Sequence, residues 1–254
     1  MNWRAIGQQV IGTAHIHGGK GCEDAVVYRI VATPEGEVLI CCASDGAGSA
    51  RYAAQASQYV TQRTVEILSG YAQQVTPVRD VEVLMIAEEL YDELKKKSQL
   101  LECDVNEFSC TFLGCYLQQQ RAVFFQIGDG AIVREDGDGM FTPVWWPHNG
   151  EYSNMTAFLV DDNAFPHLRI TILDETIREV AIFTDGLQNL VLNTEATSVH
   201  QPFFEDLFQW LRKAKTDRDV QILQQKLGGY LAGETINRRT DDDKTLFLAT
   251  RYSE

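Results

Sequence analysis

Apolar residues recur along the chain with two different periods, and each change of period marks an element. Residues 25–31 and 37–42 are short β-branched or apolar runs separated by Thr33-Pro34-Glu35-Gly36, which predicts two strands joined by a turn. From residue 49 to residue 68 the period becomes helical, with Ala50, Ala53, Ser57, Val60, Thr64 and Ile67 on one face. Pro77 closes the next loop. A second amphipathic helix then sets Leu84, Ala87, Tyr91 and Leu94 against Glu88, Glu89, Asp92 and Lys95. The middle of the chain reads as β structure at 110–117, 122–127, 131–134, about 140–144, 168–173 and 179–184. Two more helices follow, one carrying Phe204, Leu207, Phe208 and Leu211, the other Val220, Leu223 and Leu227; a last strand is predicted over 245–250.

Many short strands with helices grouped in pairs predict an α+β fold in which two sheets pack together between helices. No repeat, low-complexity tract or long linker divides the 254 residues, so a single domain over 1–254 is expected. A short flap-like segment at about 145–163 separates the middle and late strands.

Charge narrows the partners. With 36 acidic and 22 basic residues the formal charge is -14. Such a surface repels nucleic acid and anionic membranes, and no basic stripe offsets it. No apolar run reaches membrane-spanning length, and residues 1–12 have neither a basic leader nor a signal-like apolar core. Cys22, Cys41, Cys42, Cys103, Cys110 and Cys115 include no C-x-x-C pair, and several lie in apolar runs, as buried thiols of a reducing compartment do. The expectation is a cytoplasmic monomer that binds neither nucleic acid nor membrane.

The chemistry lies in a recurring form: an apolar strand, a small residue, then Asp-Gly. It occurs at Ser44-Asp45-Gly46, Gly128-Asp129-Gly130 and Thr184-Asp185-Gly186. Glu23-Asp24 precedes the first predicted strand, and Asp241-Asp242-Asp243 precedes the last. One Asp-Gly is an ordinary turn signal. Carboxylates at several strand ends are another matter, because strand ends are rigid anchors from which side chains converge with little entropy to lose. Converging carboxylates repel one another unless a cation intervenes, and an all-oxygen donor set selects hard ions such as Mg²⁺ or Mn²⁺.

The order Glu23-Asp24-Ala25, Ser44-Asp45-Gly46-Ala47-Gly48-Ser49, Ser109-Cys110-Thr111, Gly128-Asp129-Gly130, Thr184-Asp185-Gly186 and Asp242-Asp243-Lys244-Thr245 resembles the protein phosphatase 2C family. The resemblance spans nearly the whole chain and favours the stand-alone bacterial branch, partly through Gly150-Glu151-Tyr152-Ser153-Asn154-Met155-Thr156. It implies a four-layer α-β-β-α sandwich, two mainly antiparallel sheets flanked by helix pairs, with a binuclear Mn²⁺ or Mg²⁺ centre between sheet edges. Carried over by position, Asp45 bridges two tight ions and Gly46 adds its carbonyl. Asp185 and Asp242 hold one ion, Asp24 stands by the other, and Asp129 pairs with Asp185 at a third, weaker position. Asp243 replaces Asp242 if the register slips by one, and Glu23 is a further candidate ligand. Asp45, Asp185 and Asp242 are thus the expected catalytic carboxylates. The implied reaction is removal of phosphate from phosphoserine or phosphothreonine in proteins by in-line attack of a metal-bridging hydroxide, which places the chain opposite a Ser/Thr kinase in signalling.

Two departures accompany the resemblance. Where many members carry a phosphate-gripping arginine the chain has Gly19, with Lys20 beside it as the tentative phosphate contact. Where eukaryotic members place a proton-donating histidine after Asp-Gly, the chain has Ala47. The missing arginine leaves two alternatives open: a non-catalytic phosphoprotein-binding or regulatory member, and a phosphatase of small phosphate esters. Asp136-Gly137-Asp138-Gly139 fails as a calcium loop because Arg134 and Trp145 would occupy its ligand positions. His15, His17 and His148 are read as surface or hydrogen-bonded side chains rather than ligands, since the donor set is already all oxygen.

Overall fold

The computed structural model describes residues 2–146, 156–193 and 196–252. The apolar runs form strands whose alternate side chains serve two different cores. On β3 (Gly36–Ser44), Val38, Ile40 and Cys42 face a helix pair, whereas Leu39, Cys41 and Ala43 face the other sheet. On β12 (Lys244–Tyr252), Leu246 and Leu248 pack on the second helix pair while Phe247 and Ala249 enter the space between sheets. Burial on both faces explains why these strands read as continuous apolar runs rather than as a polar–apolar alternation.

One sheet runs β2 (Ala25–Thr33), β3, β4 (Phe112–Leu117), β5 (Ala122–Ile127) and β8 (Arg169–Leu173) in that order. The other runs β1 (Asn2–Val10), β12, β9 (Glu179–Phe183), β6 (Ala131–Glu135) and β7 (Phe141–Pro143). All pairings in both are antiparallel. Helices α2 (Ala53–Gln73) and α3 (Asp80–Leu100) cover the first sheet. Helices α5 (Gln201–Lys213) and α6 (Asp217–Leu231) cover the second. Short helices α1 (Thr13–His17), α4 (Gln188–Val191) and α7 (Glu234–Asn237), with the small β10–β11 ladder (Leu192–Asn193 and Ser198–Val199), complete the connections. The expected four-layer α-β-β-α sandwich of antiparallel sheets and helix pairs is present.

Two differences from the sequence reading matter to the site. Residues 2–10, read only as lacking a leader, form an edge strand along β12. Residues 49–52, read as the first turn of a helix, form a loop instead, and α2 starts at Ala53. That loop is laced to the 107–109 segment: Ala47 N donates to Ser109 O (2.9 Å) and Tyr52 N to Glu107 O (2.8 Å). Of the expected flap at 145–163, residues 147–155 lie outside the described residues.

Antiparallel register fixes where the motifs meet. Ala25 pairs with Ser44, Phe112 with Ile127 and Phe183 with Leu246. The ends of β3, β5 and β9 and the starts of β2 and β12 therefore share one end of the sandwich, which gathers the acidic motifs there.

If the inter-sheet core holds the layers together, emptying it should be expensive. Phe247 is fully buried there, so Phe247→Ala should lower stability by about 3–5 kcal/mol. Ile222, exposed on α6, should tolerate alanine within about 0.5 kcal/mol. Urea unfolding of the two variants checks the contrast.

Candidate metal centre

Three Asp-Gly aspartates meet: Asp45, Asp129 and Asp185 each place a carboxylate oxygen within 4.8 Å of the others. Asp45 directly follows β3, and Asp129 and Asp185 each stand two residues past the last residue of β5 and β9, so both sheets contribute. The glycines after two of these aspartates are required by close packing. A Cβ on Gly46 would stand 2.7 Å from the Ala53 carbonyl carbon, and one on Gly186 2.0 Å from Asp243 O. Those contacts admit no side chain.

Asp24 sits beside this group, 1% exposed. Its Oδ2 accepts hydrogen bonds from Thr184 Oγ1 and Thr245 Oγ1, both at 2.8 Å. Thr184 also accepts from Thr245 N at 3.1 Å. Asp24 belongs to the β2 sheet and both threonines to the β12 sheet, so this hydroxyl clasp joins the sheets at the site. It leaves Asp24 Oδ1 buried and without a partner. Asp129 is similar: Oδ2 accepts from Thr156 Oγ1 while Oδ1 is buried and unpartnered.

The two remaining aspartates separate sharply. Asp243 is buried and spends both oxygens on the chain: Oδ1 accepts from Gly12 N (2.6 Å) and Oδ2 from Glu23 N (2.5 Å). His15 Nδ1 lies 3.0 Å from the same Oδ2, outside hydrogen-bond geometry, and His15 Nε2 lies 3.5 Å from Glu23 Oε2. Asp242 is exposed, uses Oδ1 on Asp243 N (2.8 Å), and is close enough to raise the pKa of Asp185. Lys20 Nζ reaches Gly48 O (2.5 Å) and Glu23 Oε1 (3.3 Å) at the exposed rim. His17 is exposed and His148 lies outside the described residues.

Burial and mutual repulsion disturb the ionisation of this group. Asp45 is pushed up to about 11, by burial first and then by Asp24 and Asp185; Asp24 goes up to about 7, chiefly by burial. Asp185 rises to about 6, again by burial first, then by Asp129 and Asp242. Asp45 and Asp185 share a hydrogen bond that favours the proton on Asp45. Carboxylates this close cannot all ionise without a counter-charge. With buried acceptors that have no donor, and only oxygen atoms offered, the group fits a hard divalent cation.

The protein phosphatase 2C family model matches residues 11–232. The chain belongs to the protein phosphatase 2C family. This metal-dependent phosphatase family accounts for the acidic centre in kind. Serine/threonine-protein phosphatase 3 of Escherichia coli (strain K12) is 34% identical over 255 residues, covering 98% of each chain. Among solved structures, serine/threonine phosphatase Stp1 from Staphylococcus aureus superposes with a TM-score of 0.65 at 13% identity, over 100% of this chain and 96% of that one. The S. agalactiae serine/threonine phosphatase gives 0.62 at 16% identity, over 98% and 100%. These two bear on the fold. In the protein phosphatase 2C chain described here, sequence reasoning quoted Thr184 and Thr245 inside its motifs yet gave them no role. Thr184 stands directly before Asp185 at the end of β9, and Thr245 two residues after Asp243 at the start of the neighbouring strand β12, which was the available signal.

The raised carboxylates set the sign of a pH effect. Between the unfolded value near 3.9 and the folded values of about 6, 7 and 11, the folded state binds more protons, so stability falls as pH rises. In EDTA the melting temperature should drop between pH 5 and pH 8. Asp45→Asn should raise it at both pH values, by clearly more at pH 8 than at pH 5. Melting curves at both pH values decide this, and a variant equally shifted at both would refute the electrostatic cause.

Proposed function

We propose that the chain is a metal-dependent protein serine/threonine phosphatase whose centre takes two tightly held Mn²⁺ or Mg²⁺ ions and a third, weaker one. The observation that carries this reading is the convergence of Asp45, Asp129 and Asp185, beside the unpartnered Asp24 oxygen, in a chain of this family. The substrate class follows from the curated relative's name, a serine/threonine-protein phosphatase. The expected partners are phosphoproteins made by a Ser/Thr kinase, met as a cytoplasmic monomer. Consistent with that setting, no helix among the described residues is long and apolar enough to cross a membrane. Because residues from both sheets and from 24 to 242 serve one centre, residues 1–254 are read as one catalytic domain.

In this reading Asp45 would serve both tight ions, with the Gly46 carbonyl as a further donor. Asp185 and Asp242 would hold one ion, Asp24 would stand by the other, and Asp129 with Asp185 would serve the third. Asp242 is preferred to Asp243 because the Asp243 oxygens are committed to Gly12 N and Glu23 N. Glu23, whose Oε1 meets Lys20, is kept as a supporting acid. Divalent ions, when held there, would supply an acidified water for in-line displacement and polarise the phosphoryl oxygens. The chain's own contribution is positional. The Thr184–Thr245 clasp binds one Asp24 oxygen and leaves the other free, and Thr111 fixes the Asp45 backbone, accepting from Asp45 N at Oγ1 (2.8 Å) and donating its own N–H to Asp45 O (2.8 Å). Lys20 at the rim presents an ammonium to the incoming phosphate in place of the absent arginine. A point charge grips phosphate less firmly than a planar guanidinium fork. A non-catalytic binder is disfavoured, because binding alone gives no reason to keep this strained carboxylate group.

Hydrolysis of an aryl phosphate should require Mn²⁺ or Mg²⁺ and stop in EDTA, and phosphoserine or phosphothreonine peptides should be preferred to phosphotyrosine peptides. Asp45→Asn should cut the rate roughly a thousandfold or more, a barrier change of several kcal/mol. Asp242→Asn should lose activity with the fold intact, whereas Asp243→Asn should mainly lower the melting temperature. Full activity in EDTA would overturn the reading. Lys20→Ala should raise KM several-fold with a smaller change in kcat, as loss of ground-state binding does; steady-state kinetics against phosphopeptide concentration measures the split.

A further inference from the structure

The face that β5 turns toward the other sheet is apolar until its final member. Ala122 and Phe124 lie in the inter-sheet core with Leu113, Ile132 and Ile182, and the next side chain on that face is Gln126, 2% exposed. An amide in such a layer costs free energy unless its hydrogens find acceptors, and a methionine would fill the space without that cost. Gln126 meets the condition in one particular place. Its Nε2 donates to Gly128 O at 3.0 Å and to Gly130 O at 2.6 Å. Both acceptors are carbonyls, so the nitrogen of the amide must be the atom that faces them.

Those two carbonyls flank Asp129. Residues 128–130 are also the whole connection between β5 in one sheet and β6 in the other. Gly128 crosses at φ +108°, a conformation open to glycine, and a three-residue link with two glycines does not by itself hold an aspartate still. The Asp129 side chain gives Oδ2 to Thr156 Oγ1 and keeps Oδ1 buried and unpartnered, and it is one of the three carboxylates that converge. Buried carbonyls need donors in any fold. Here one planar group supplies both, so the two ends of the crossover cannot shift independently.

We propose that Gln126 is a positioning residue of the acidic centre: by clamping both carbonyls that flank Asp129, it sets where the free Asp129 oxygen stands relative to Asp45 and Asp185. Gln126 is buried and acts only through Asp129. The proposal rests on the metal-dependent phosphatase reading for the use made of that aspartate.

Calorimetric titration of the stripped full chain with Mn²⁺ tests it, with and without Asp129→Ala. Gln126→Met keeps the volume of the side chain and removes both donors. It should weaken the Mn²⁺ binding that depends on Asp129 by roughly tenfold or more, as loss of a partner behind a metal ligand does. Added to Asp129→Ala, the same change should alter Mn²⁺ binding by less than about twofold, because the carboxylate it serves is gone. Gln126→Asn is one methylene shorter and cannot span both carbonyls. It should fall between wild type and Gln126→Met, and it carries the same comparison if the methionine variant does not fold. Thr64→Val removes a buried hydroxyl bonded to Val60 O (2.7 Å) within α2. That variant should lower the melting temperature and leave Mn²⁺ affinity unchanged, which separates lost stability from lost position. Aryl phosphate hydrolysis by the wild type reports on the phosphatase reading, and the isotherms report on Gln126, so the two fail separately. Mn²⁺ binding unchanged in Gln126→Met, indifferent to Asp129→Ala, or weakened equally with and without Asp129 would overturn the proposal.

Discussion

Mutual repulsion among carboxylates at one end of two packed sheets is the constraint around which the rest of this structure is arranged. Strand register brings Asp24, Asp45, Asp129 and Asp185 together, and burial strengthens the repulsion by removing water. The surroundings respond in two ways. Hydroxyls bind one oxygen of Asp24 and of Asp129 and leave the other oxygen bare. Burial, and then repulsion from Asp24 and Asp185, push Asp45 furthest towards its protonated form when no counter-charge is bound. Cation binding is the natural completion of such an arrangement, and the family to which the chain belongs is metal-dependent.

The same end shows how a fold and a site can share residues. The Thr184–Asp24–Thr245 clasp is at once a link between sheets and the device that orients Asp24. Asp243 ties the start of β2 and the turn after β1 to the start of β12, and so sets the position of Glu23-Asp24 from a distance. Asp242, its neighbour in the bend before β12, is exposed and uses one oxygen on Asp243 N.

Much of this was legible in the sequence, and the reason is physical. Strands buried on both faces leave long apolar runs, and Asp-Gly after such a run marks a strand end, so both the sandwich and its acidic end could be read from residues 38–46, 122–130 and 180–186. The edge strand β1 could not: Arg4, Gln8 and Gln9 interrupt its apolar residues, and only pairing with β12 makes it a strand. The helical period beginning at residue 49 was misleading because Ala47 and Tyr52 donate to the 107–109 segment, which holds the loop open until Ala53. The roles of His15, Asp243 and the two threonines depend on contacts between opposite ends of the chain, which no local pattern carries.

The central claim is that a divalent cation entering this centre displaces protons that burial and mutual repulsion hold on the carboxylates of the stripped protein. Calorimetric titration of the stripped protein with Mn²⁺ at pH 7.5, in two buffers of different ionisation enthalpy, counts the protons displaced. With Asp45 raised to about 11 and Asp24 to about 7, filling the centre should release about one proton or more per protein. Tight binding with no proton released would contradict the account, because the carboxylates would then have been fully ionised before the metal arrived.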